Sequence, residues 1–422
     1  MNAEIISVGT ELLLGHTVNT DTAYAARELS AAGINLLYSC TVGDNPARLK
    51  ETVETALARS DIVITTGGLG PTGDDLTKET VAAAAGKKLV MDRESMERIE
   101  RYFAGRALGE TQKKQALLPE GCTVFPNDVG TAPGCGFRTD GGKIVVLLPG
   151  PPSELVPMLK RYAVPYLADG GKASIVSRIV RVFGLGEGDV AEQISDLTES
   201  ASPTAATYAK DGEMFVRVTA RAQTEEQASA LCRPVVEELR KRLGEYVYGT
   251  DVESLEETVV KGLAGRGLTL ATAESCTGGL LAKRITDISG ASQVFHMGTV
   301  TYANEIKTLL LGVPEKTLNL YGAVSPQVAR LMAQGVREKS GADFGIGITG
   351  IAGPDGGTPE KPVGLVYIAL SDKENTWVRK MPPRGRYKGR EYVRGLAASN
   401  ALDMVRRRLF GLGGLEIAAY TK

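Results

Sequence analysis

Through about residue 165 the chain alternates short β-branched runs with helical patterns. Ala3–Val8, Thr20–Ala32, Asn35–Val42, Pro46–Arg59 and Asp61–Thr65 follow one another as strand, helix, strand, helix and strand. Ile62-Val63-Ile64 and Ile144-Val145-Val146-Leu147-Leu148 are apolar at every position rather than at every second one. A strand that is apolar on both faces must be covered on both, the condition of a parallel sheet between two layers of helices. A doubly wound α/β domain is therefore predicted over 1–170.

From about Ser174 the grain changes. A strand (Val176–Phe183), a helix opened by Gly186-Glu187-Gly188-Asp189, two strands (Ala205–Lys210 and Glu213–Ala220) meeting at Asp211-Gly212, and a helix from Thr224 to Leu243 predict a small α+β domain over 171–250. Asp-Gly between two strand-like runs is a hairpin signal, because both central residues of the tight turn need positive φ. After Asp251 the α/β rhythm returns, with helix Ser254–Arg266, strand Thr269–Ala273, helix Gly279–Ile288, strand Thr299–Thr301, helix Ser325–Lys339 and strand Phe344–Thr349. Strands Val363–Ser371 and Asn375–Lys380 and a helix near Gly389–Leu409 close a third domain, predicted over 251–410. Residues 411–422 are expected to be a loose tail, since a glycine cluster interrupts the helix and little follows to pack.

Composition narrows the chemistry. A chain of 422 residues, 43% hydrophobic and 23% charged with a formal net charge of -1, has no global pull toward nucleic acid or an anionic membrane. No basic flank with an apolar signal region opens it and no stretch approaches a membrane span, so a cytoplasmic protein is expected. The five cysteines (Cys40, Cys122, Cys135, Cys232, Cys276) contain no Cys-x-x-Cys pair, which removes a zinc finger and a disulfide framework. Only His16 and His296 are present, so a multi-histidine metal site is excluded and a catalytic base is expected to be something other than histidine.

Two strand ends carry candidate chemistry. Asp61–Thr65 runs into Thr66-Gly67-Gly68-Leu69-Gly70-Pro71-Thr72-Gly73-Asp74-Asp75, a loop at the carboxyl end of a strand whose glycines let backbone amides approach a phosphate. Gly68-x-Gly70-x-x-Gly73 matches the dinucleotide fingerprint formally, but it follows the third strand, and Asp74 and Asp75 would repel a pyrophosphate without a bridging cation. The pair is a candidate for divalent-metal ligation; the alternative is that both merely favour the start of the next helix. Leu148-Pro149-Gly150-Pro151-Pro152-Ser153-Glu154 is either a second ligand-facing turn or a rigid connector. No Gly-x-x-x-x-Gly-Lys-Ser/Thr occurs, which disfavours a P-loop enzyme.

At the other end, Thr269–Ala273 leads into Glu274-Ser275-Cys276-Thr277-Gly278-Gly279 and a helix. Ser275 there presents a hydroxyl at the ligand edge of the sheet, and the amides following it, through Thr277, Gly278 and Gly279, can face a developing oxyanion. The alternatives are an ordinary helix cap, or Cys276 as nucleophile.

These segments resemble the CinA family over the whole chain. Ser7-Val8-Gly9-Thr10-Glu11-Leu12-Leu13-Leu14-Gly15, the Thr66–Asp75 loop, Gly130-Thr131-Ala132-Pro133-Gly134 and Leu148–Glu154 resemble its molybdopterin-binding-like domain. Ala273–Gly279, Gly298-Thr299-Val300-Thr301-Tyr302-Ala303-Asn304-Glu305-Ile306-Lys307, Gly322-Ala323-Val324-Ser325, Thr349–Gly357 and Lys361-Pro362-Val363-Gly364 resemble its carboxy-terminal domain, and the middle segment its KH-like insert. The resemblance implies a bifunctional hydrolase. Its carboxy-terminal domain would deamidate nicotinamide mononucleotide without a cofactor, with Ser275 as nucleophile, Lys307 as general base and Tyr302 as a hydrogen-bonding relay. A lysine stripped of water can replace histidine, because burial lowers its pKa toward neutrality. Thr349 and Gly350 would line the substrate pocket, and Arg390 would take the phosphate. The amino-terminal domain would hydrolyse ADP-ribose to AMP and ribose 5-phosphate with a divalent metal (Mg, Mn or Co) and K+, using Asp74 and Asp75 for the metal and Thr10, Glu11, Thr66, Gly67, Gly68, Gly150 and Pro151 for substrate. A non-catalytic nucleotide- or molybdopterin-binding role for that domain is the alternative. A homodimer is expected; nucleic acid is not, since the insert shows no Gly-x-x-Gly clamp. The chain departs from the family's usual residues at Asp21, where a second Asn is commoner, and at Lys388-Gly389-Arg390, where Gly-Asp-Arg is usual.

Overall fold

The computed structural model describes residues 1–104, 106, 108–168, 174–200, 202–210, 212–383, 385 and 387–416. It divides into two compact units, Met1–Val176 with Arg221–Ser229 and Ser177–Ala220 with Ala230–Lys422.

The first unit is built on β1 (Asn2–Val8), β2 (Asn35–Val42), β3 (Ile62–Thr66), a small hairpin of β4 (Leu89–Met91) and β5 (Leu117–Pro119), then β6 (Thr123–Phe125), β7 (Gly134–Arg138) and β8 (Ile144–Leu148). The main sheet has the order β2-β1-β3-β8-β7-β6, with β2, β1, β3 and β8 parallel, β7 antiparallel to β8, and β6 antiparallel to β7. The unbroken apolar runs serve two cores. Ile62, Ile64, Ile144, Val146 and Leu148 pack on one face, while Val63, Val145 and Leu147 pack on the other. Because successive side chains point to opposite faces, a sheet covered on both sides needs an apolar residue at each position. The chain passes from β1 out to β2 and returns to β3 on the other side of β1, so the reversal of strand order opens a crevice at the carboxyl ends of β1 and β3.

The second unit carries two sheets. The smaller, of order β10-β11-β9-β12, comprises β9 (Ser174–Val182), β10 (Thr204–Lys210), β11 (Glu213–Ala222) and β12 (Val247–Thr250). β10 and β11 pair antiparallel out to Lys210 and Glu213, and Gly212 between them has φ 75; Asp211 lies outside the described residues. The larger, of order β14-β13-β15-β16-β17, comprises β13 (Leu270–Glu274), β14 (Phe295–Val300), β15 (Phe344–Gly350), β16 (Val366–Ser371) and β17 (Thr376–Met381). β14, β13 and β15 are parallel, and strand order reverses about β13 as it does about β1. β14 begins four residues earlier than the expected Thr299, since its burial alternates from half-buried to exposed and gives no apolar run.

The tail is anchored rather than loose as far as Glu416. Arg379, fully buried, donates to Asp403 Oδ2 at 3.0 Å, to Leu415 O at 3.0 Å and to Gly414 O at 3.1 Å, and Arg407 donates to Gly413 O at 2.6 Å. Arg379, Arg406 and Arg407 surround the single buried carboxylate of Asp403. Their guanidinium groups carry more donors than one carboxylate can accept; the tail carbonyls take part of the remainder from Arg379 and Arg407, while Arg406 donates to Glu245 O and Val247 O and Arg379 also to Asn400. Residues 417–422 lie outside the described residues. Among the described residues no helix is long and apolar enough to cross a membrane.

Candidate active sites

The Ser275 site lies at the carboxyl edge of the larger sheet. Ser275 N donates to Ile348 O on β15 at 3.0 Å and Thr301 N donates to Glu274 O at 2.8 Å, which ties the exits of β13, β14 and β15 together. The backbone does not follow the simplest expectation for an oxyanion site. The carboxylate of Glu274 turns under the helix Leu280–Thr286 and accepts from the amides of Gly279 at 3.0 Å, Leu281 at 3.1 Å and Ala282 at 2.8 Å. Gly278 N is taken by Ser275 O at 3.1 Å. Gly278 and Gly279 therefore shape the turn, with φ 61 and 90, but offer no amide to a substrate. Among the described residues the amide of Thr277 carries no partner and that of Cys276 meets only its own sulfur, and they are the donors available beside the Ser275 hydroxyl.

Lys307 is 1% exposed and donates from Nζ to Thr301 O at 2.8 Å and to Tyr302 O at 3.0 Å. No carboxylate pairs with it among the described residues, and burial holds its pKa below the ordinary lysine value against the weaker opposing pull of Cys276 and Glu305. Its two acceptors sit at the exit of β14, the parallel neighbour of β13, so the amine is held at the strand exit next to the one that carries Ser275. It makes no hydrogen bond to the Ser275 hydroxyl in this structure, and a third ammonium direction is left over. Cys276 is set aside as nucleophile, because burial pushes its thiol up to about 12.

The remaining candidates surround this pair. Thr349 is buried and donates to Ala323 O at 2.8 Å, which fixes its hydroxyl and leaves the oxygen's lone pairs as its contribution to a pocket. Gly350 pairs with Val366 on β16. Tyr302 is exposed, and its hydroxyl accepts from Arg390 Nη2 at 3.1 Å while Arg390 Nη1 donates to Gly353 O at 2.9 Å. Arg390 and Tyr302 thus form one polar unit at the rim. One turn further along the same helix, Arg394 donates to Thr277 O at 3.1 and 2.6 Å, bracing the Ser275 turn from behind. The motif contained no signal for Arg394 beyond its spacing of four from Arg390. Thr277 keeps a buried hydroxyl with no partner among the described residues.

In the first unit a cavity of about 830 Å³ opens at the carboxyl ends of β1, β3 and β8. Glu11, Thr66, Gly67, Gly68, Gly150, Pro151, Asp74 and Asp75 all line it. Thr10 does not: it is spent on Asp44, donating its amide at 2.8 Å and its hydroxyl at 2.7 Å to the carboxylate. Gly67, at φ 96, lies where a Cβ would stand 2.2 Å from Val8 O, so only glycine permits that close approach of the two loops. Its amide is taken by Leu148 O, and among the described residues the amides of Gly68, Leu69 and Gly70 have no hydrogen-bond partner.

The lining is acidic. Glu11, Asp21, Asp44, Asp74, Asp75 and Glu154 contribute carboxylates, and among the described residues no lysine, arginine or histidine lines the cavity. Asp21 Oδ1 is buried without a partner, and burial raises that carboxyl to about 6. Asp75 Oδ2 accepts the Thr72 amide at 2.9 Å and the Thr72 hydroxyl as well. Among the described residues no three histidine, cysteine, aspartate or glutamate side chains form a ready-made metal cage. The residues fit a hard cation held by one or two carboxylates and completed by water and phosphate oxygens, the usual manner of Mg²⁺.

Three family models match the chain: the "Probable molybdopterin binding domain" over residues 4–169, the "Damage-inducible protein CinA KH domain" over 177–249 and the "CinA C-terminal domain" over 252–409. A CinA-like protein of Desulfovibrio desulfuricans is 60% identical over 412 residues, covering 98% of this chain and 97% of its own. Another, of Dictyoglomus thermophilum, is 50% identical over 415 residues, covering 98% of this chain and all of its own (100%). Among solved structures, a competence/damage inducible protein from Agrobacterium tumefaciens is 43% identical with a TM-score of 0.35, covering 37% of this chain and 93% of that one. The chain belongs to the CinA family. It combines a molybdopterin-binding-like domain, a KH-like domain and a CinA carboxy-terminal domain in a mixed α/β architecture.

Proposed function

We propose that the chain is a bifunctional hydrolase whose carboxy-terminal site removes the carboxamide nitrogen of nicotinamide mononucleotide. The observation that carries this reading is Lys307: a buried amine without a carboxylate partner, held at the exit of the strand beside Ser275. In its neutral form Lys307 accepts the Ser275 proton as the hydroxyl oxygen attacks the carboxamide carbon. The oxygen that becomes negative lies against the amides of Cys276 and Thr277. Lys307 returns the proton to the departing nitrogen, ammonia leaves, and water then cleaves the acyl-serine to nicotinate mononucleotide. Arg390, held by Tyr302 and Gly353, binds the phosphate through its forked donors. Incubation with nicotinamide mononucleotide should release ammonia, and Ser275→Ala should lower that rate by roughly 10³-fold or more. Undiminished release from Ser275→Ala would remove the serine from the mechanism.

The amino-terminal cavity is assigned to ADP-ribose, cleaved at its phosphoanhydride. A phosphate chain brought among six carboxylates requires a divalent cation, which supplies charge neutralisation and an activated water when bound. Asp74 and Asp75 would hold it, while the free amides of Gly68, Leu69 and Gly70 orient the phosphates. The lack of a three-ligand cage among the described residues favours a second reading, binding without cleavage. Metal-dependent release of AMP from ADP-ribose, lost in Asp74→Ala/Asp75→Ala, decides between them.

A further inference from the structure

Two thiols that neither candidate site uses meet in the amino-terminal domain. Cys135 lies in β7, fully buried, directly opposite Val124 in the antiparallel β6–β7 ladder. Cys122 stands two residues before Val124, just outside β6, and is half-buried. Residues two apart along a strand share a face, so both sulfurs turn toward the core that contains Val81 and Leu118. No Cys-x-x-Cys spacing announces the pair; the ladder brings it together. The two thiols hydrogen-bond to each other, which lowers that of Cys122 against the opposing effects of burial and Asp92, and which together with burial raises that of Cys135. The shallower sulfur is therefore the better thiolate, and the deeper one is its immediate neighbour. Both are free thiols in this structure.

The pair flanks a loop of the amino-terminal cavity. Gly130, Thr131 and Ala132, between β6 and β7, line that cavity. Asn127 shapes the loop: its Oδ1 accepts from the amides of Val129 at 3.0 Å and Gly130 at 2.7 Å, and its Nδ2 donates to Ala132 O at 2.9 Å and to Glu154 Oε2 at 2.6 Å. A bond between the two sulfurs would close a covalent ring around this loop and restrict it. The approach that such a bond requires falls on Cys122, which follows a turn, closed by its amide to Pro119 O at 3.1 Å, rather than lying inside a strand.

We propose that Cys122 and Cys135 form a reversible disulfide in response to a hydroperoxide, with Cys122 as the reacting thiol and Cys135 as the resolving one, and that this bond stiffens the cavity loop. The Cys122 thiolate attacks one peroxide oxygen, the O–O bond breaks, and the other oxygen leaves as hydroxide and takes up the thiol proton as water. The Cys135 sulfur then attacks the sulfenic sulfur of Cys122; the S–O bond breaks and a second water leaves with the Cys135 proton. Two thiols lose two electrons in all, and the peroxide gains them. A dithiol reductant reverses the bond by exchange.

The reduced full chain, treated with one equivalent of hydrogen peroxide, should lose about 2 Da, and its peptide map should join Cys122 to Cys135; dithiothreitol should restore the mass. Cys122→Ser should abolish the link and leave Cys135 a thiol, whereas Cys135→Ala should leave a sulfenic acid on Cys122 that dimedone traps. Hydrogen exchange at the amides of Val129 and Gly130 should slow in the oxidised chain. A map without the Cys122–Cys135 link overturns the proposal on the unaltered chain, whether or not the variants fold. Sulfenic acid on Cys135 in folded Cys122→Ser, or none on Cys122 in folded Cys135→Ala, overturns the assigned roles, and unchanged exchange at Val129 and Gly130 overturns the effect on the loop.

Discussion

The exits of β3 and β13 make an instructive pair. Both lie where strand order reverses, both lead into glycine-containing turns and helices, and both carry a candidate within ten positions of the strand, Asp74 and Asp75 after β3 and Ser275 after β13, whereas Lys307 comes from beyond the exit of β14. Their electrostatics are opposite. Beside β13 the working charge is a single amine, buried and without a carboxylate partner. Beside β3 the charges are carboxylates around an open cavity with no basic residue in its lining. On the proposed reading the first site supplies its base from Lys307, whereas the carboxylates of the second would repel an anionic substrate until a cation offsets them. The amides after the two strands differ as well: Glu274 takes those of Gly279, Leu281 and Ala282 at the helix start beyond β13, while in the loop beyond β3 the amides of Gly68, Leu69 and Gly70 have no partner among the described residues.

The largest expected effect separates the two sites by charge. Lys307→Met should lower ammonia release by about 10²- to 10⁴-fold while AMP release from ADP-ribose stays unchanged, measured on one preparation. Because the neutral amine is the base, ammonia release should rise with pH through a pKa below that of an ordinary lysine, and that limb should be absent from the residual rate of the variant. Next in size, chelation of divalent ions should abolish AMP release and leave ammonia release intact; loss of both under chelation would erase the distinction drawn between the sites. Truncation after Phe410 should destabilise the second unit by on the order of 3 kcal/mol, since Arg379 and Arg407 lose three charge-assisted bonds to tail carbonyls; thermal melts would show it. The smallest effect belongs to Cys276→Ala, which should change ammonia release less than about threefold, because a thiol pushed up to about 12 is not ionised at neutral pH. A large loss there would reopen the choice of nucleophile.

Much of the architecture could be read from pattern. The unbroken apolar runs of β3 and β8 called for a sheet covered on both faces, and the chain's two histidines pointed away from a histidine base, the choice of lysine coming from the family resemblance. Other features had no local signature. Thr10 sits in a ligand-like motif, yet Asp44, thirty-four positions away, takes its hydrogen bonds. Glu274 stands next to the serine and its carboxylate takes the amide of Gly279, while the carbonyl of Ser275 takes that of Gly278. Arg394 braces Thr277 across 117 positions of sequence. The tail resembles a loose end because its glycines offer no side chains, but its backbone carbonyls are what the buried arginines require.

What the sequence determined by itself was the set of elements and the residue types at each strand exit, because periodicity, glycine placement and charge act over a few neighbouring positions. What the tertiary structure decided was which of those groups remain free to act. A hydrogen bond satisfied from a distant segment removes a donor from the site, and burial from several sides is what lowers the amine of Lys307. Both depend on partners that no stretch of contiguous sequence contains.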